Sequence, residues 1–388
     1  MDFKLFLYLS FFVIFYAYFG YALVALFLIL VRKENKTTYS NDFELKSITL
    51  IIAAYNEENF IEEKIKNSLA LNYDKNKLKI YIVTDGSSDQ TVTIVAKYPE
   101  ITHFHESKRG GKIAAVNRVM KHVNTEIVVF SDANTLINPD GLMKIVKHYA
   151  NPEIGGVAGE KRILNEAKDD LAGKGEGFYW IYESMLKKID SRFYSVVGAA
   201  GELFSVRTNL YEHPGDNVLL DDFIISLNVC MKGYKIAYEP NAYALENPSF
   251  SLQEEQKRKI RISAGGFQSI FMLKELLKFW KYPKLSFLYI SHRVLRWAIC
   301  PFLLPLILIL NLLQLITNYD IIFLITMLLQ VSLYSFAITG YILAKFNIKI
   351  KLFQFAFYFV FMNVMLYLGL YKFLKGNQSV LWDKAKRR

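Results

Sequence analysis

Residues 127–135 read IVVFSDANT. Four apolar residues, Ile127 through Phe130, climb to a polar exit at Ser131, and Asp132 and Asn134 then stand two apart. A short apolar run closed by a polar turn is the pattern of a strand buried on both faces. A carboxylate and an amide oxygen at its tip suggest a ligand there. The pattern occurs twice upstream: SITLIIAA (47–54) runs into Asn56-Glu57-Glu58, and LKIYIVT (78–84) into Asp85-Gly86-Ser87-Ser88-Asp89. Helical periodicity follows at 57–70, 89–98 and 138–150, and a further helix at 111–123 follows a weak strand near 101–105. Asn138-Pro139 is a helix start, an N-cap with Pro at the first helical position. Strand and helix in alternation predict an α/β domain with a mostly parallel, Rossmann-like sheet. Such sheets bind ligands beyond the carboxyl ends of their strands, where these polar exits cluster.

The chemistry of the exits narrows the ligand. A lone carboxylate facing a second anion at 4 Å costs about 4 kcal/mol at an effective dielectric near 20, so a phosphate ligand would require a cation. Asp132 and Asn134 offer oxygen, which suits Mg²⁺ or Mn²⁺; no His or Cys residues converge as zinc ligands. Arg109-Gly110-Gly111-Lys112 opens a helix, and its amides together with Lys112 are placed to hold phosphate charge. Walker spacing is missing here, and no GxGxxG follows the first strand. For any single exit a solvated loop remains the plain alternative.

Composition adds a membrane. Hydrophobic residues make up 53% of the 388-residue chain and aromatics 15%, and the apolar ones crowd both ends. Residues 5–31 carry no charge, more than the ~20 apolar residues a bilayer span needs. With no cleavage site after them, they read as a retained anchor. Further runs lie at 297–316, 321–344 and 353–371. Arg293 and Arg296 precede the first of these. Because a central Arg costs about 2.5–3.5 kcal/mol on insertion scales, that span is expected to begin after Arg296. The net charge is 47 − 36 = +11. Arg32, Lys33 and Lys36 follow the anchor, and Lys345, Lys349 and Lys351 separate the last two runs. The positive-inside rule then sets the middle domain in the cytoplasm, at the inner or plasma membrane. Three later crossings would leave the C-terminus outside, whereas Lys384, Lys386, Arg387 and Arg388 favour an inside tail; the reading takes the tail inside, with one late segment interfacial or re-entrant. The expected organisation is an anchor (1–34), a catalytic domain (35–250), interfacial helices (251–290), membrane helices (291–374) and a basic tail (375–388). The aromatics of the runs, such as Phe15, Tyr16, Phe355 and Tyr358, suit lipid contact or helix packing. The basic charge is assigned to membrane orientation, since no nucleic-acid-binding signature accompanies it. Cys230 and Cys300 form neither a metal spacing nor a disulfide framework. The acceptor patterns at Asn35 and Asn377 read as chance.

IIAAYNEE, TDGSSD, GGKIAAVN and FSDANT, in this order, resemble the nucleotide-sugar glycosyltransferases of family 2, of GT-A fold. The resemblance continues through GAAGELFSVR (198–207), LLDDF (219–223), MKGYKIAYEP (231–240) and EEQKRKIR (254–261), spanning about 47–262. The apolar flanks resemble its membrane-embedded branch, which includes cellulose, chitin and hyaluronan synthases. The resemblance implies that Ala54, Glu57 and Asp85 hold the uridine and ribose of a UDP-sugar. Asp132 and Asn134 take the place of Asp-x-Asp against Mg²⁺ or Mn²⁺ and the diphosphate, with Lys112 alongside; Asn134 removes one charge from that pattern. Asp222 matches the general base, with Asp221 as its support and Gly201 on the acceptor side. Arg258 and Arg261 match the Gln-x-x-Arg-Trp region and would clamp the diphosphate; Arg258, Arg261 and Gly265 share one helix face. Arg258 stands there for Gln and Ile262 for Trp, and loss of the Trp weighs against processive synthesis. The function implied is an inverting transfer from a UDP-sugar to a polysaccharide or lipid-linked acceptor, in exopolysaccharide or cell-envelope glycan synthesis. Single-sugar transfer, a nucleotidyltransferase and a non-catalytic membrane component are the alternatives. Membrane lipids are expected partners, nucleic acid is not, and four spans are few enough for a channel that a homo-oligomer or export partner is expected.

Overall fold

The computed structural model describes residues 4–31, 44–164, 171–247, 251–346, 348, 350–376, 379 and 381, with backbone alone over 171–178. The basic residues 32, 33, 36 and 349, the acceptor patterns at 35 and 377, and the tail from 384 lie outside the described residues. In chain order, α1 (Lys4–Phe15) and α2 (Tyr21–Val31) precede β1 (Ile48–Ala54), α3 (Ile61–Leu69), β2 (Leu78–Asp85), α4 (Thr91–Val95), β3 (Thr102–Glu106), α5 (Lys112–Met120) and β4 (Ile127–Asp132). Then come β5 (Thr135–Ile137), α6 (Gly141–Lys147), β6 (Ile154–Ile163), α7 (Leu171–Phe193), β7 (Phe204–Arg207), α8 (Asp221–Met231), β8 (Lys235–Glu246) and α9 (Leu252–Met272). The chain ends in α10 (Pro283–Leu288), α11 (Cys300–Thr317), α12 (Ile321–Lys345) and α13 (Lys351–Leu374).

The first four strands are those the sequence predicts. They pair in parallel in the order β3-β2-β1-β4, and the sheet continues through β7, β6, β8 and β5. That second half is mixed: β7 runs antiparallel to β4 and β6, β6 parallel to β8, and β5 antiparallel to β8. Ile48, Leu50, Ile52, Ile82, Ile127 and Val129 are buried together with Ile61 and Ile65 of α3 and Ile145 and Val146 of α6, so the apolar runs of the strands and the stripes of the helices form one core. α3 starts later than its periodicity suggests because residues 57–60 form a turn: the Glu57 carbonyl accepts from the Phe60 and Ile61 amides.

The chain divides into a sheet unit (Arg32–Asn165, Ser184–Pro248 and Ser379–Arg388) and a helical unit (Met1–Val31, Glu166–Glu183 and Ser249–Gln378). Among the described residues, the helical unit contains four helical segments long and apolar enough to cross a membrane: Lys4–Val31, Pro283–Thr317, Ile321–Lys345 and Lys351–Leu374. The helix that carries the second segment starts ahead of the expected span: it runs unbroken from Pro283 through Arg293 and Arg296, with a π-helical stretch at Tyr289–Ile299. Both arginines are buried against Glu183, at 3.0 Å from Arg293 Nη1 and 2.7 Å from Arg296 Nη2, with His292 Nε2 at 3.3 Å. Burial works against the Glu183 charge, but Arg296, Arg293 and His292 hold its carboxyl well below the usual range. These buried arginines are met by a counter-charge from a distant part of the chain.

Candidate active site

Parallel pairing brings the predicted exits to one edge of the sheet unit. Ala54 pairs with Thr84 and Ala53 with Asp132, so Ala54, Asp85 and Asp132 end neighbouring strands at one level. Asn56, at φ 52°, turns the chain out of β1, and its side chain and amide bond Ser87 and Ser88 of the next exit. Buried Glu57 follows, its amide donating to Thr91 Oγ1 at 2.8 Å. Gly86 has φ +67°, and a Cβ there would meet Arg109 backbone atoms at 2.8–2.9 Å; only glycine lets the second exit and the 109–112 loop approach this closely. The Arg109 guanidinium lies over the Tyr55 ring, 3.6 Å from its centre.

Asp85 is buried with both oxygens engaged: Oδ2 accepts from the Gly110 and Gly111 amides at 2.9 and 2.7 Å, and Oδ1 from Arg118 Nη2 at 2.6 Å. The amides at this helix start are read from sequence as facing phosphate; those of Gly110 and Gly111 face a carboxylate of the same chain instead, because the helix start folds back onto β2. Lys112 remains, and its Nζ lies 2.6 Å from Asp132 Oδ1. Burial works against the Lys112 charge, but Asp132, Asp221 and Asp222 hold its ammonium above the ordinary range.

A further part of the site arrives with β7. Its antiparallel pairing sets Phe204 opposite Phe130, with the rings stacked 4.7 Å apart, so the residues just before β7 run alongside the end of β4. A Cβ on Gly201 would stand 3.0 Å from Lys112 Nζ and 3.3 Å from Asp222 Oδ2. Asp221 and Asp222 form the first turn of α8, and Asp222 Oδ1 accepts from the Phe223 amide at 2.8 Å. Burial and the neighbouring Asp221 push the Asp222 carboxyl up to about 7, against the pull of Lys112. Lys112, Asp132, Gly201, Asp221 and Asp222 are thus brought together from four separate parts of the chain.

The oxygen donors at the β4 exit are one carboxylate, Asp132, and one amide, Asn134. No group of three or more His, Cys, Asp or Glu side chains able to hold a metal occurs among the described residues. Such a pair does not make a closed cage, but it fits a divalent cation that takes its other oxygens from a substrate diphosphate and water. Arg258 and Arg261 belong to α9, in the helical unit. There Arg258 is buried, its Nε and Nη2 each 2.9 Å from Glu255 oxygens.

Sequence reading passed over Lys64, Ser131, Thr135 and Glu202. Lys64 is fully buried, and its Nζ donates to Ser131 Oγ at 2.7 Å and to the Thr135 carbonyl at 2.8 Å. Burial lowers its pKa to about 7, against the pull of Asp132. A signal existed: Ile61, Lys64, Ile65 and Ser68 share one helix face, and a lysine on an apolar stripe asks for a polar partner.

The sequence profile of glycosyl transferase family 2 matches residues 49–214. The chain is 30% identical over 246 residues, 60% of its own length, to a poly-beta-1,6-N-acetyl-D-glucosamine synthase of Staphylococcus aureus (strain MSSA476). It is 27% identical over 271 residues to the synthase of that name from Staphylococcus epidermidis. It spans 58% and 62% of the length of these curated relatives. Among solved structures, a mannosyltransferase from Pyrobaculum calidifontis in complex with GDP-Man and Mn²⁺ superposes with a TM-score of 0.70, covering 96% of this chain and 99% of that one at 22% identity. The fold is therefore GT-A, and residues 49–214 are similar to glycosyl transferase family 2.

Proposed function

We propose that the protein is an inverting glycosyltransferase that moves a sugar from a UDP-sugar to a growing glycan or lipid-linked acceptor at the cytoplasmic face of a membrane, in exopolysaccharide or cell-envelope glycan synthesis. The observation that carries this is the convergence of Asp132, Lys112, Gly201 and Asp222. A donor-side carboxylate and ammonium stand beside a carboxylate whose proton affinity suits a base, with only a glycine between. The Staphylococcus relatives make UDP-N-acetylglucosamine the first donor to test.

In this reading Ala54, Glu57 and Asp85 border the nucleoside, Asp85 also keeping the 109–112 loop in place. Asp132 and Asn134 would hold Mg²⁺ or Mn²⁺, which when bound offsets charge on the diphosphate leaving group. Lys112 adds a fixed positive charge at the same end. Asp222 takes the proton from the acceptor hydroxyl as its oxygen attacks the anomeric carbon from the face opposite the diphosphate; the bond to the diphosphate breaks, and the configuration inverts. The half-buried setting of Asp222 gives it the basicity this requires. Arg258 and Arg261 are assigned to the diphosphate by family likeness alone, and the Glu255 partner of Arg258 favours a structural share in its role.

The test is metal-dependent release of nucleoside diphosphate by the purified protein in detergent or nanodiscs, across a panel of nucleotide sugars, with Asp222→Asn as control. Release from one donor, lost in the variant, is the expected result; absence of UDP binding would overturn the reading. A second reading, addition of a single sugar, is favoured by Ile262, which stands where polymer-making members carry Trp. Product size separates the two.

A further inference from the structure

Lys64 is a full lysine on the inner face of α3, where Ile61 and Ile65 are buried beside it. Burying an amine is costly unless its hydrogen bonds are met, and a Leu or Met would fill the same slot at no such cost. Its contacts indicate what the amine supplies. Besides Ser131 Oγ and the Thr135 carbonyl, Nζ lies 3.5 Å from Thr135 Oγ1. Ser131 and Thr135 bracket Asp132-Ala133-Asn134, and both are buried. Thr135 Oγ1 donates to the Asp132 carbonyl at 3.0 Å, which closes the turn. Ser131 Oγ donates in turn to the Glu202 carbonyl at 3.0 Å, one residue from Gly201. All the Lys64 side-chain hydrogen bonds among the described residues go to neutral oxygens, so the amine is not held there as half of an ion pair.

We infer that Lys64 is a positioning residue for the cation-binding turn: from behind the sheet it pins both ends of Asp132–Asn134 and, through Ser131, the acceptor-side loop at Gly201. The inference rests on the assignment of Asp132 and Asn134 to a divalent cation made above. With the amine removed, the two oxygen ligands lose their fixed spacing, and cation affinity falls before anything else does. A lysine that served the fold alone would, on removal, lower thermal stability and the active fraction but leave the cation midpoint where it was.

The experiment is a Mn²⁺ titration of the full-length protein in detergent with UDP present, followed by the EPR signal of free Mn²⁺ and run alongside nucleoside diphosphate release. For Lys64→Met the expected result is a Mn²⁺ midpoint raised about tenfold or more, with the donor KM at saturating Mn²⁺ within about twofold of the parent. Ser131→Ala, which removes one of the pinned ends without emptying the slot, should raise the midpoint by a smaller factor, and it decides the matter if Lys64→Met fails to fold. A folded variant with an unmoved midpoint overturns the inference while the parent's own Mn²⁺ binding stands. A parent that binds no Mn²⁺ in the presence of UDP overturns the cation assignment, and this inference with it.

Discussion

Two adjacent carboxylates open α8, and their surroundings separate them. Asp222 Oδ2 lies near Gly201, and Asp222 faces Lys112, Asp221 and Glu202. Its carboxyl, pushed up to about 7, has to be ionised to accept a proton. Activity at saturating metal should therefore rise with pH along an acid limb set by this group, and the limb should vanish in Asp222→Asn along with about 10²–10⁴-fold of the rate. Stability should move the other way. Folding raises the pKa of this acid, so the native state holds a proton that the unfolded chain releases, and stability falls as pH rises from about 4 through about 7. Asp222→Asn is then expected to melt a few degrees higher than the parent at pH 8, at roughly 2–4 °C per kcal/mol, with little difference at pH 4. Gly201 and Gly86 make a second contrast. Gly201→Ala would set a methyl 3.0 Å from Lys112 Nζ without backbone strain, and should lower kcat in a protein of near-parental melting temperature. Gly86→Ala meets Arg109 backbone at a left-handed φ, and should destabilise by about 1–3 kcal/mol, read from denaturant or thermal unfolding.

Among the elements, the strand exits and the helix starts divide the work. Parallel β1, β2 and β4 deliver Ala54, Asp85 and Asp132 to one edge, and antiparallel β7 returns the chain along β4 to bring in Gly201. The helical unit shows a comparable dependence between elements. Glu183 of α7 is the shared partner of Arg293 and Arg296, which lie inside a segment otherwise apolar enough for a membrane. Glu183→Gln leaves two buried guanidinium groups with a neutral partner, and a loss of about 3–5 kcal/mol is expected, measured as a lowered melting temperature of the detergent-solubilised protein. A melting temperature equal to the parent's would remove Glu183 as the reason these arginines are tolerated.

For the whole molecule, four segments among the described residues are long and apolar enough to cross a membrane, and in the proposed reading the sheet domain uses a nucleotide sugar, a cytoplasmic metabolite. Both cysteines of the chain are buried, so a cysteine introduced at exposed Glu100 gives a clean label. It should resist a membrane-impermeant maleimide in intact cells and react once they are permeabilised; labelling in intact cells would place the domain on the other side.

Periodicity and polarity alone carried the first half of the sheet, since β1, β2 and β4 are each a continuous apolar run ending in a turn. The carboxylates at their tips were legible for the same reason: a strand's direction says which end its last polar residue faces. The apolar segments could be read because a bilayer requires length and hydropathy, both local properties. Pairings between distant parts of the chain could not be read. That Asp85 takes the Gly110 and Gly111 amides, that Glu183 neutralises Arg293 and Arg296, and that β7 sets Gly201 between Lys112 and Asp222 all depend on long-range register, of which one-dimensional spacing keeps no record. Lys64 is the sharpest case. In sequence it is one charged residue of a short amphipathic helix; only the packing of α3 beneath β4 gives its amine two ends of a turn to hold.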